Sequence, residues 1–201
     1  MIATGPLYFD SDVRNMEIKT VEFNDDVSSL VQHMDKGTNW PVVYIIHNDN
    51  EVYVGETCNV STRLQQHRNN QERRRLKLVE LVLDDTLNKS ATLDIEQSLI
   101  RLYSAEEELT LQNMNGGQSP SHDYYNRARY TEMVGQIWME LCANGSARTG
   151  YSDLVNNALF KFSPYTALTE EQTIIKGNIL SDIVSHADDD NRSEERRVGK
   201  E

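Results

Sequence analysis

Six side chains in this sequence have types and an order that could do chemistry together: Tyr44, Tyr53, Arg63, His67, Glu96 and Asn113. Arg63 and His67 are four residues apart, so a helix would place them on one face. Glu96 interrupts an apolar pattern of Leu93, Ile95, Leu99 and Ile100, where a carboxylate needs a reason. The set suits phosphodiester hydrolysis, which requires an activated water, neutralised phosphoryl oxygens and help for the departing oxygen. A single carboxylate is the kind of hard oxygen ligand magnesium takes, with water and phosphate completing the octahedron. A guanidinium offers a planar fork to a non-bridging oxygen. A phenol becomes a useful base only if its pKa is lowered, which a bound cation and a neighbouring arginine both favour. His67 titrates near neutrality and is a rival base. Singly, each residue also has a plain structural explanation: tyrosines are ordinary strand formers, Arg63 could snorkel along a helix, Glu96 could pair with Arg101, and Asn113 beside Gly116 and Gly117 could be turn chemistry. The ordered combination carries the argument.

The elements that must position these groups are legible from periodicity. Val42, Val43, Tyr44, Ile45 and Ile46 form one strand, Asn48, Asp49 and Asn50 a turn, and Glu51 to Val54 a second strand ended by Gly55. Asn59 is a credible N-cap for a helix carrying Val60, Arg63, Leu64 and His67. Leu76 to Leu83 reads as a third, buried strand ended by Asp84 and Asp85. Asn88, Lys89 and Ser90 lead into a helix that carries Glu96 and ends near Ser104, and a loop follows through Leu111 to Gly117. Upstream, Met16, Ile18, Val21 and Phe23 hint at a strand, then Asp25 or Asp26 caps a helix with Val27, Leu30, Val31 and Met34, closed by Gly37. Downstream, a helix from about His122 to Leu141, ending at Asn144 and Gly145, is expected to pack on the domain. Thr169 and Gln172 are spaced as a capping box before Ile174 and Ile175.

The chain has 201 residues and a formal net charge of -12, a total that argues against a polyanionic partner. Distribution qualifies the total: Arg63, Arg68, Arg73, Arg74, Arg75 and Lys77 form a local basic stripe opposed there only by Glu72. Cys58 and Cys142 are far apart and fit neither a disulfide framework nor a zinc site. With no long apolar run and no leader-like N-terminus, the expectation is a protein without a membrane span, cytoplasmic, and the sequence specifies no oligomeric state.

The tripeptides Val42-Val43-Tyr44 and Tyr53-Val54-Gly55, followed in order by Asn59, Arg63, His67, Glu96 and Asn113, resemble the GIY-YIG nuclease family over about two-fifths of the chain. Val42 stands where the family has glycine, and Val54 where it has isoleucine, a volume-similar change. The resemblance implies an α+β fold, a small three-stranded antiparallel sheet flanked by helices, and a divalent metal, Mg2+ or Mn2+, held by Glu96. It also implies that Tyr44 is the candidate general base, that Tyr53 and His67 position water or phosphate, and that Asn113 ties its loop to the site. Gly55, Asn59, Arg68, Arg73, Arg74, Arg75 and Lys77 are expected to support substrate binding or structure, with DNA as the substrate.

The expected organisation is an N-terminal extension at 1–37, the nuclease domain at 38–117, a packing helix at 118–150 and a further region at 151–191. Asn88 through Gly117, with Ser163-Pro164-Tyr165 and Glu171-Gln172, looks like the front of bacterial proteins in which a GIY-YIG nuclease precedes a Schlafen group 3-type DNA/RNA helicase. On that resemblance the chain is truncated, ATP would bind only in a missing C-terminal part, and the role would be DNA restriction or repair. Residues 192–201 resemble a translated sequencing adapter and are set aside as a non-native tail. The alternatives are an inactive nucleic-acid-binding module that recruits a helicase, and an interaction domain for a basic protein.

Overall fold

The β-branched run of the first predicted strand becomes β2 (Val42–His47) and its partner becomes β3 (Glu51–Thr57), in antiparallel register with Tyr44 opposite Gly55. The computed structural model describes residues 16–156. Within them lie β1 (Glu17–Glu22), α1 (Val27–Gln32), α2 (Val60–Arg68), a 3-10 turn at Arg73–Arg75, β4 (Leu78–Leu83), α3 (Lys89–Ser104), β5 (Thr110–Leu111), α4 (Arg127–Asn144) and α5 (Tyr151–Asn156).

The architecture is α+β, but the sheet differs from the expected three antiparallel strands. It has five, in the order β1-β4-β2-β3-β5, and the β3–β5 pair is parallel. The predicted strand near Met16 to Phe23 adds to the outer edge of β4, pairing along its whole length. At the other edge the chain leaving α3 runs beside β3 for only two residues. So short a segment has no alternation to read, which is why the sequence showed a loop there.

Side-chain alternation along the strands divides the interior in two. Val42, Tyr44, Ile46, Tyr53, Val79 and Leu81 face one side, where Val27 and Val31 of α1 and Val60 and Leu64 of α2 cover them. Val43, Ile45, Val52, Val54 and Val82 face the other, beneath α3 and α4. Trp138 of α4 meets Tyr103 of α3 edge-on at 4.7 Å, and its indole N–H donates to the Thr149 carbonyl. Glu80, on this second face, is buried beside His47, with Nε2 to Oε1 at 3.5 Å.

Several helix ends depart from expectation. Asp26 holds the N-cap position of α1 without a side-chain capping bond; its own N–H donates to Asn24 Oδ1. The helix stops at Gln32 and Gly37 lies beyond it, required instead by close approach: a Cβ there would sit 1.8 Å from the Val31 carbonyl oxygen. α4 starts at Arg127 rather than His122, because Asn126 takes a left-handed conformation with φ 58°. Its end at Gly145, φ 81°, is as expected. Residues 157–201, with Ser163-Pro164-Tyr165, the Thr169–Gln172 box and the 192–201 tail, lie outside the described residues, as do residues 1–15. No helix among the described residues is long and apolar enough to cross a membrane.

Candidate active site

Asn59 caps α2 by accepting the Thr62 N–H at 3.2 Å, fixing where the helix begins. Val60 and Leu64 then bury one face, and the i, i+4 pair Arg63 and His67 is carried toward β2. Both reach one atom. The Tyr44 hydroxyl lies 2.8 Å from His67 Nε2, and Arg63 Nε donates to it at 3.3 Å. The Arg63 bond takes an acceptor lone pair, and a phenol proton with no partner would be costly here, so the proton is best placed on the line to Nε2 with His67 neutral.

Gly55 makes this arrangement possible. It faces Tyr44 across the hairpin, and a Cβ on it would lie 2.3 Å from the phenol oxygen and 2.4 Å from Cζ. The ring therefore lies in space that any side chain at position 55 would fill. Tyr53 packs on the imidazole of His67 with centroids 4.8 Å apart, and Arg73 stacks its guanidinium on the other partner of this cluster, 3.8 Å above the Tyr53 ring. Arg73 Nε is buried without a hydrogen-bond partner among the described residues.

A cleft of about 660 Å³ opens in front of these groups, lined by Tyr44, Tyr53, Arg63 and Arg73 on one side and by Glu56 and Glu96 on the other. Glu96 comes from α3, and the loop after β5 passes over it; Gly117, with φ +79°, lies so close that a Cβ would be 3.5 Å from Glu96 Oε2. Asn113 holds that loop to the sheet. Its Oδ1 accepts the Val54 N–H and its Nδ2 donates to the Val54 carbonyl, both at 2.9 Å, so the side-chain amide continues on β3 the pairing that β5 begins. We expect Asn113→Ala to lose about 1–3 kcal/mol of unfolding free energy and to speed hydrogen exchange at the Val54 amide; unchanged exchange there would remove the clasp.

The electrostatics of the cleft are set by burial. Burial, then the nearby Tyr53, push the Tyr44 phenol far above its ordinary value, while the Arg63 bond pulls it down. Burial, followed by the positive charges of Arg73 and Arg63, brings His67 down to about 3. Burial and the adjacent Glu56 push Glu96 up to about 7.

The structure thus brings together Tyr44, Tyr53, Arg63, Glu96 and Asn113 around one cleft. His67 is different: it does not line the cleft but lies behind Tyr44, with Nε2 on the phenol oxygen. Of the basic stripe, only Arg63 and Arg73 reach this cleft. Arg68 is held by Asp25 and by the carbonyls of Phe23 and Arg74. Arg75 pairs with Glu51 and Lys77 with Asp49, while Arg74 is exposed. Glu56 was missed in the sequence, although alternation from Val52 and Val54 places it on the α3 side of β3. There its carboxylate takes Lys89 Nζ and the Thr92 hydroxyl.

Residues 40–109 match the family model of the GIY-YIG catalytic domain, a nuclease domain. The match covers about a third of the chain and contains Tyr44, Tyr53, Arg63, His67 and Glu96, while Asn113 lies past its end. Neither the curated proteins nor the solved structures contain a significant match.

Proposed function

We propose that the cleft hydrolyses phosphodiester bonds in DNA as a metal-dependent endonuclease. One observation carries the reading most: a phenol bonded at once to an imidazole and a guanidinium, facing a carboxylate across a cleft open enough for a phosphate.

The residues fit a divalent cation. Glu96 is a partly desolvated carboxyl beside a second carboxylate, Glu56, and a cation between charge and solvent would relieve both costs. Among the described residues no three histidine, cysteine or acidic side chains cluster as a closed site would need, whereas magnesium is content with one or two carboxylates. Glu96 would hold the metal, with Glu56 next to it, and the metal would supply Lewis acidity and a more acidic water.

The chain's own groups do the rest. Arg63 and Arg73 receive the phosphate and offset charge building on its oxygens. Tyr44 takes a proton from the attacking water as its own phenol proton passes to His67 Nε2. In the free protein the imidazole resists that proton, because it is buried and faces two cations. A bound phosphate offsets those same cations, so substrate makes His67 more basic when it is needed. This assigns Tyr44 as the base and His67 as its proton acceptor.

Tyr44→Phe should therefore lower the rate of magnesium-dependent plasmid nicking by about 10²–10⁴-fold while DNA affinity stays unchanged. Nicking within a few fold of wild type would remove Tyr44 from the chemistry. A protein that shifts DNA without ever nicking it would instead be the binding module. Coupling to a helicase rests on Asn88 through Gly117 together with Ser163-Pro164-Tyr165 and Glu171-Gln172, and the last two segments lie beyond both the family match and the described residues.

A further inference from the structure

A second cleft, of about 700 Å³, lies between the β2–β3 turn, the segment from Arg74 to Leu78, and the end of α4. Five cations line it, Arg68, Arg74, Arg75, Lys77 and Arg148, against the carboxylates of Glu22 and Asp49. In a chain of net charge -12, five cations gathered at one cleft are groups that a polyanion's phosphates can take over from the carboxylates that pair four of them, Asp25, Asp49, Glu51 and Glu108.

The five do not contribute alike. Arg68 builds the wall, held by Asp25 and two backbone carbonyls. Arg74 is exposed, and its side chain has no ion-pair partner among the described residues. The Lys77 ammonium meets Asp49 at 3.2 Å with both side chains largely in solvent, whereas the Arg75 side chain is 57% exposed and its partner Glu51 only 21%. A pair as exposed as Lys77–Asp49 contributes little and is the one most readily exchanged for a phosphate. Arg148 reaches in from beyond α4, donating to the Asp49 carbonyl and pairing with Glu108 at 2.7 Å.

The 3-10 turn Arg73–Arg75 joins this cleft to the first. Arg73 faces the candidate active site, and its chain neighbours Arg74 and Arg75 face the second cleft. Three consecutive arginines therefore bridge the ridge between them. Among the described residues the second cleft presents no exposed aromatic face for a base, since Phe23 and His47 in its lining are buried. Its chemistry is that of backbone contact, which positions a nucleic acid without reading sequence.

From this juxtaposition we infer that the two clefts form one track: a nucleic-acid strand whose scissile phosphate lies between Arg63 and Glu96 continues over the three-arginine turn and rests its backbone in the second cleft. The inference deepens the nuclease reading and depends on it for the direction of the strand, but its test needs no cleavage.

The test is fluorescence anisotropy with the full chain in chelator, using labelled duplex DNA of about 10 and about 30 base pairs over a range of salt. Wild type should bind the longer duplex more tightly. Arg74→Glu with Lys77→Glu should weaken the longer duplex by at least about tenfold at about 50 mM salt and reduce the slope of log affinity against log salt by about two. Arg74→Gln with Lys77→Gln, milder for folding, should give the same change of slope with a smaller loss. Affinity and slope unchanged in both variants would overturn the track. If wild type nicks plasmid while the variants bind as it does, the track alone falls. If wild type binds with the expected slope yet never nicks, the nuclease reading falls and the second cleft stands as a backbone site.

Discussion

Gly55→Ala is expected to inactivate the protein almost as fully as removing Tyr44 itself, although it adds one methyl group at a residue with no side chain to lose. The new Cβ would overlap the phenol oxygen and Cζ of Tyr44, at 2.3 and 2.4 Å. Nothing nearby yields easily: the ring is fully buried, its backbone lies in a strand paired on both sides, and His67 and Arg63 hold its far end. The ring must swing out of its bonds, so cleavage should fall by about 10²-fold or more, and overpacking should cost about 1–3 kcal/mol in urea unfolding. A second substitution, Tyr44→Leu, would give the methyl room. The double variant should regain stability over Gly55→Ala alone but stay inactive. Additive stability losses in that cycle would show that residues 44 and 55 do not meet.

Glu96→Gln should abolish magnesium-dependent cleavage and also remove a pH signature visible without any substrate. The wild-type carboxyl is pushed up to about 7, first by burial and then by Glu56. A carboxyl raised in the folded state favours its protonated form there, so the stabilisation is fully present below its unfolded value and is lost as pH rises through 7. The metal-free protein should therefore melt at a higher temperature at pH 5 than at pH 8, over and above the background seen in Glu96→Gln. Metal binding has the opposite slope, because the cation competes with the proton: affinity for Mn2+ by calorimetry should fall about tenfold per pH unit below 7. Wild type and Glu96→Gln with identical melting profiles and equal Mn2+ affinity would remove Glu96 as the ligand.

Much of this site could be read from the sequence because local rules place it. The β2–β3 hairpin, the Asn59 cap and the four-residue spacing of Arg63 and His67 are short-range features that set out Tyr44 with Tyr53 and Arg63 with His67, and packing of α2 on the sheet then joins the two pairs. Glu96 was legible as a carboxylate out of place on an apolar helix. What escaped were properties fixed by long-range packing. Periodicity puts His67 on the face of Arg63 but cannot tell that one side chain ends at the cleft and the other behind a tyrosine. The basic stripe looked continuous because charges are counted along the chain, whereas the end of α2 and the 3-10 turn send them in different directions. β5 was invisible because its two residues are held by the β3 edge and by the Asn113 amide that follows, not by any pattern of their own.

The clasp by Asn113 also bears on the outer edge of the sheet. An unprotected outer strand invites another molecule's strand to add to it. In this protein the vulnerable side of β3 is occupied by β5 at Glu51 and Val52 and by a side-chain amide at Val54. The loop beside the acidic wall of the cleft thereby also covers the side of β3 to which another molecule's strand could add.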